Sequence, residues 1–119
     1  MTFRAFDHDG TKIVELAAGG GTLESERDAL DLISACMEHA SDRLLIDGAC
    51  LSEGFYRLRT GLAGAVAQKL GNYHVRAAVV VSPGASNQGK FKEFALETNR
   101  GGQFRLVETR DEALRWLAG

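Results

Sequence analysis

The sequence predicts one α/β domain, residues 1–119, built on a mixed, mainly parallel sheet of about five strands with four helices. Three observations predict it. Two short apolar-rich runs flank Asp9-Gly10, the signature of an N-terminal β-hairpin. Strand-like runs then alternate with segments of helical period down the chain. The clearest run, RAAVVVS at 76–82, is apolar at consecutive positions, as expected of a central parallel strand buried on both faces.

In order, FRAFDHDGTKIVELA supplies the hairpin, with Phe3 opening its first run and Ile13, Val14 and Leu16 filling the second. Gly19, Gly20 and Gly21 form a loop. A helix follows over about residues 25–39, opened by the capping-box-like Ser25-x-x-Asp28. Leu30, Ile33, Met37 and Ala40 recur at spacings of three and four and predict its inward face. RLLIDG, 43–48, reads as a short buried strand. After RAAVVVS, residues 88–98 read as a helix, and Asn99-Arg100-Gly101-Gly102 offers left-handed backbone to stop it. QFRLVE, 103–108, alternates like a strand nearer an edge. Thr109-x-x-Glu112 is a good capping box for the last helix, whose stripe is Ala113, Leu114 and Leu117 with Trp116 at its border.

The stretch RLRTGLAGAVAQKLGN, 57–72, admits two readings. One helix over 53–70 would place Gly61 and Gly64 in its interior, at about 1 kcal/mol each relative to Ala. The preferred reading makes Thr60 the N-cap, its hydroxyl accepting an N–H from the first turn, with Gly61 in that turn. Leu62, Val66 and Leu70 then point inward and Gly71-Asn72 ends the helix. Ala63, Gly64 and Ala67 are small enough for close approach to the sheet or another helix. Residues 49–59 become a connector with one short helical turn.

The formal net charge of -2 and the sequence pI of about 5.9 imply no general attraction to nucleic acid or acidic membranes. No apolar run reaches the roughly 20 residues of a membrane span. MTFRAFDHDG lacks a signal-peptide core, so the expected location is the cytoplasm. Cys36 and Cys50 form no C-x-x-C pair and are expected to be reduced.

Ligands of an open parallel sheet gather beyond the carboxyl ends of its strands. The loops there are 17–23, 47–60 and 82–89, and they carry Asp47, Cys50, Ser52, Glu53 and Ser82. His8, His39 and His74 map to the opposite edge, out of reach of a Ser or Cys nucleophile. No spacing of Cys, His and Asp suits a metal, and no cofactor is implied. Asp47 with Glu53 as a carboxylate pair, and Cys50 at a helix start, are the remaining acid/base and nucleophile options. Enzymatic activity therefore ranks below binding and regulation. The T-G run lacks the spacing of a phosphate-binding P-loop. Arg57 and Arg59 beside free N–H groups at Thr60-Gly61, or Lys90 and Lys92 after SPGASNQGK, would suit a small anion.

FYRLRTGLAGAVAQKLGNYHVRAAVVVS, FKEFALETNRGGQFRLVE and DEALRWL together resemble a bacterial family known as domain of unknown function 4180, over residues 28 to 117. That family carries no assigned activity. The layout also resembles the STAS domain of anti-sigma-factor antagonists, which begins with a strand pair and alternates strand and helix. Thr60-Gly61-Leu62 resembles the end of the STAS motif Asp-Ser-Ser/Thr-Gly-Leu, whose second hydroxyl accepts phosphate; Leu58 and Arg59 stand where the motif has Asp-Ser. The resemblance implies a STAS-like, non-enzymatic protein-interaction or regulatory module. Its surface would be Thr60 and Gly61, with Tyr56, Arg57 and Arg59 as anchors, Tyr and Arg being enriched at interface hot spots. The partner would be a protein, a homodimer being one form of it. The alternative is a small-anion or small-ligand binder using the same loops.

Overall fold

Asp9 and Gly10 take positive φ angles of 49° and 82° and close a two-residue hairpin between β1 (Arg4–His8) and β2 (Thr11–Leu16). Primed turns of this kind match the twist of the flanking strands, which is why Asp-Gly was a reliable signal. The computed structural model describes residues 1–57, 60–82, 84 and 89–119. After the hairpin come α1 (Asp28–Glu38), β3 (Arg43–Asp47), a 3-10 turn (Gly48–Cys50), α2 (Glu53–Tyr56), α3 (Leu62–Asn72), β4 (Arg76–Val80), α4 (Gly89–Asn99), β5 (Phe104–Val107) and α5 (Arg110–Ala118). The strands lie in sequential order, β1 antiparallel to β2 and every later neighbour parallel. The predicted α/β architecture and five-stranded mixed sheet are therefore present. The connector at 49–59 adds the short helix α2 to the four longer ones.

Sequential order has a consequence for the faces. Crossovers of one hand between strands laid down in one direction put the intervening helices on one side. The larger core lies there, with Val14, Leu16, Leu44, Ile46, Ala77, Val79, Phe104 and Leu106 meeting residues of α1, α2, α3 and α4. The opposite face is left to α5. Its core is small: Ile13, Leu45, Ala78 and Val107 under Ala113, Leu114 and Leu117. A helix of 9 residues cannot cover five strands, so this face carries polar side chains at both ends of the sheet.

Three expectations are corrected. On α1, Ile33 is buried, but Leu30 and Met37 are 43% and 66% exposed. The buried stripe is Ala29, Leu32, Ile33, Ala35 and Cys36. Both stripes have helical spacing. The one rich in small residues wins because α1 packs against both β3 and α3. The helix also begins at Asp28, whose carboxylate accepts the N–H groups of Glu24 and Ser25 at 2.8 and 3.1 Å. Only the acidic half of the expected box is formed. Gly64 is exposed, and a Cβ there would meet nothing within 4 Å, so it is not a close-approach glycine. Gly71-Asn72 does end α3, as the sequence predicts, and the left-handed residue beyond it is His74, at φ 58°.

The end of α4 departs most from expectation. Residues 99 to 102 include no left-handed residue. Asn99 instead pairs with the outer edge of β5. Its Oδ1 accepts the Leu106 N–H at 2.8 Å, and its Nδ2 donates to the Leu106 carbonyl at 3.1 Å. A side-chain amide thus stands in for one residue of a sixth strand and blunts an edge otherwise open to pairing. Replacing Asn99 by Ala is expected to cost about 1–2 kcal/mol, by leaving both groups without their partner. Urea unfolding of the variant checks this, and a midpoint equal to that of wild type would refute the edge role.

Candidate functional site

The loops at the carboxyl ends of β2 and β3 are stitched together before any functional side chain is placed. Leu23 and Leu51 form a parallel bridge, with Leu23 N–H donating to the Cys50 carbonyl at 2.7 Å. The bridge was not foreseen, since it lies outside both strand runs. It holds the connector against the sheet, and α2 follows directly.

Phe55 of α2 is fully buried in the main core. Tyr56 is half-buried, its ring 5.3 Å from Phe91 and 5.9 Å from Phe55. The Tyr56 hydroxyl and the Ser52 hydroxyl are both buried and make no hydrogen bond among the described residues. Tyr56 is therefore an anchor of the corner as well as a border of the surface. Arg57 is half-exposed and forms an i,i+4 ion pair with Glu53. Arg59 lies outside the described residues.

The α2–α3 corner is closed by Thr60. Its exposed hydroxyl donates toward the carbonyls of Gly54 and Arg57, at 2.7 and 2.8 Å, and accepts the Leu62 N–H at 3.2 Å. Thr60 so serves the first residue of α3, but it is not the N-cap that the sequence predicts. The residue in the cap position itself is Gly61, at φ 72°. That left-handed geometry is open to Gly and strained for a β-branched residue, which explains the Thr-Gly order. Leu62, Ala63, Val66 and Leu70 are buried beneath, as the inward stripe predicted.

Asp47, Cys50 and Glu53 of the same loops are engaged structurally. Asp47 Oδ1 accepts the Ala49 N–H at 2.8 Å and caps the 3-10 turn. Cys50 is fully buried with Sγ 3.2 Å from the Ala17 carbonyl. Burial, then the Asp47 charge, push the Cys50 thiol up against a smaller opposing effect of the Gly20 N–H. Burial and then Asp42 push the Cys36 thiol up to about 11. Neither thiol is activated, and both are free of disulfides. Glu53 is held by Arg57 rather than by Asp47. His8, His39 and His74 lie at the amino edge of the sheet, beside the starts of β2, β3 and β4. Among the described residues no cluster of His, Cys, Asp or Glu suits a metal ion. Pro83 and Ala85–Gln88 of the 82–90 loop lie outside the described residues, as does the Lys90 side chain. Among the described residues no helix is long and apolar enough to cross a membrane.

The geometry can hold a surface hydroxyl in a fixed position. The hydroxyl's bonds join α2 to the first residue of α3. A family model described as "Domain of unknown function (DUF4180)" matches residues 8–117, starting at the hairpin rather than in α1. Neither a search of curated proteins nor one of solved structures returns a match.

Proposed function

Since the chain belongs to the DUF4180 family of unknown function, we propose that it is a non-enzymatic protein-interaction or regulatory module working through its α2–α3 corner. The observation that carries this reading is the Thr60 hydroxyl. It is exposed, and it makes the bonds to Gly54, Arg57 and Leu62 that close the corner. A phosphoryl group on that oxygen would remove its donor proton and set a dianion against two carbonyls, so the corner would open. The STAS likeness belongs to the same proposal, because Thr60-Gly61-Leu62 begins the helix that follows the third strand. Arg57 and Tyr56 would border the contact, with Gly61 holding its backbone. Binding of a small anion at these loops is the alternative, and there Arg57 is already engaged by Glu53.

Tagged chain recovered from its own host at native expression, followed by mass spectrometry of what it retains, tests the reading. Thr60→Ser should keep both stability and partner. Thr60→Ala should cost about 0.5–2 kcal/mol. Thr60→Glu, shown to be folded by circular dichroism, should lose the partner. A partner held equally by wild type and Thr60→Glu would overturn the proposal, as would retention of nothing at all. Sizing by light scattering separates a second copy of the chain from a different protein.

A further inference from the structure

The α5 face of the sheet ends, at the amino edge of its parallel strands, in three arginines. Arg43 and Arg76 are the first residues of β3 and β4 and lie directly opposite one another in register. Arg105 of β5 is paired with Ala78, two residues along β4 and on the same face as Arg76. Neighbouring strands are about 4.8 Å apart, so Arg43 and Arg76 rise side by side and Arg105 stands diagonally from Arg76 on the same face. Trp116 of α5 lies among them, its ring centre 4.2 Å from the Arg76 guanidinium carbon and 5.1 Å from that of Arg105.

Each guanidinium is fixed by one carbonyl at a helix end. Arg43 Nε donates to Leu117 at 2.9 Å, Arg76 Nη1 to Gly119 at 3.1 Å and Arg105 Nη2 to Asn99 at 2.8 Å. These bonds hold the side chains still without using them up. Arg43 Nη2, Arg76 Nη2 and Arg105 Nη1 make no hydrogen bond among the described residues. Among the described residues the buried Nε atoms of Arg76 and Arg105 also have no partner. Asp42 pairs with Arg43 at 2.8 Å, and among the described residues neither Arg76 nor Arg105 is in an ion pair. Burial presses the Arg76 pKa down, the charges of Arg43 and Arg105 add to it, and the Asp42 charge opposes them.

We propose that Arg43, Arg76 and Arg105 form a binding site for a small phosphate-type oxyanion, either free phosphate or the terminal group of an organic phosphomonoester. A tetrahedral oxyanion offers several acceptor oxygens to the terminal nitrogens that these bonds leave unused. Guanidinium is the side chain best suited to that geometry. The site lies at the edge of the sheet opposite the Thr60 corner, so it stands or falls independently of the function proposed there.

Trp116 is the chain's single tryptophan and reports from within the cluster. Its emission should change saturably on titration with inorganic phosphate or glycerol 3-phosphate, with ionic strength held constant by potassium chloride. Arg76→Gln and Arg105→Gln should each weaken binding about tenfold or more. Calorimetry on wild-type protein gives a readout that needs no variant. Equal affinity for both probes would assign free phosphate, and a preference for the ester would assign the monoester. If neither probe gives saturable fluorescence or heat beyond the chloride control, the arginines only cap α4 and α5 and the proposal is overturned. Unchanged affinity in a folded Arg105→Gln variant would also overturn it.

Discussion

Gly48→Ala is expected to destabilise the protein by about 3 kcal/mol, lowering its melting temperature by about 10 °C. Gly48 opens the 3-10 turn at the end of β3. A Cβ there would overlap the Val80 carbonyl oxygen and stand 3.3 Å from the Val80 carbonyl carbon. These are backbone atoms, which no rotamer change can move aside. Val80 is paired with Asp47 on one side and Val107 on the other, and the Val81 N–H donates to the Val107 carbonyl at 2.8 Å. Relief would therefore require β4 to move within the centre of the sheet. Gly64→Ala is the control. That position is exposed and helical with open space around a new Cβ, and the change should gain up to about 1 kcal/mol. Thermal and urea unfolding of the two variants check the pair. Near-wild-type stability of Gly48→Ala would show that the close approach of β3 and β4 is not a constraint.

The second large effect concerns Glu15, the buried charged residue of the hairpin. It is 4% exposed, on the α5 face of β2. Arg4 Nε donates to it at 2.7 Å, and Arg110 donates to both of its oxygens at 3.2 and 3.3 Å. Phe6 lies under both guanidiniums, its ring centre 5.6 and 5.4 Å from their central carbons. Burial by itself pushes the Glu15 carboxyl up. The hydrogen bonds and charges of Arg110 and Arg4 outweigh burial and hold it below its usual 4.5. The folded form thus binds its proton less readily than the unfolded chain. The stability contributed by Glu15 is complete above about pH 4.5 and is lost as pH falls through the lower folded value. Glu15→Gln should cost about 2 kcal/mol at pH 7, since charge-assisted bonds to two arginines are weakened together. Between pH 5 and about pH 3 the wild-type midpoint should fall more steeply than that of the variant. Parallel curves would mean that Glu15 titrates alike in both states.

Glu15 also shows where sequence reading stops. In TKIVEL it is a lone carboxylate between apolar residues, and nothing in the run names a partner for it. Its burial depends on α5, which brings Arg110 to it across 95 residues of chain. Nothing local encodes that meeting. Asn99 is similar. Its place near a helix end was legible, but its pairing with Leu106 depends on α4 turning back along β5. The same holds for Thr60. Its bond to the Leu62 N–H follows from Thr-Gly before an apolar stripe, although Gly61 takes the cap position, whereas its bonds to Gly54 and Arg57 require α2.

The local chemistry of the sequence determined the elements and their order. Asp9-Gly10 specified the hairpin, RAAVVVS the central strand, and Thr109-x-x-Glu112 the start of α5, where the Thr109 hydroxyl accepts the Glu112 N–H at 3.1 Å. Each rests on backbone preferences expressed within a few residues. Tertiary structure alone decided which of two stripes on α1 was buried, because both have helical spacing and only β3 and α3 distinguish them. It also decided how charges are shared on the face covered by α5. Sequential strand order sends the intervening helices to the other side, and the arginines that meet beside the end of α5 come from strands far apart in the chain.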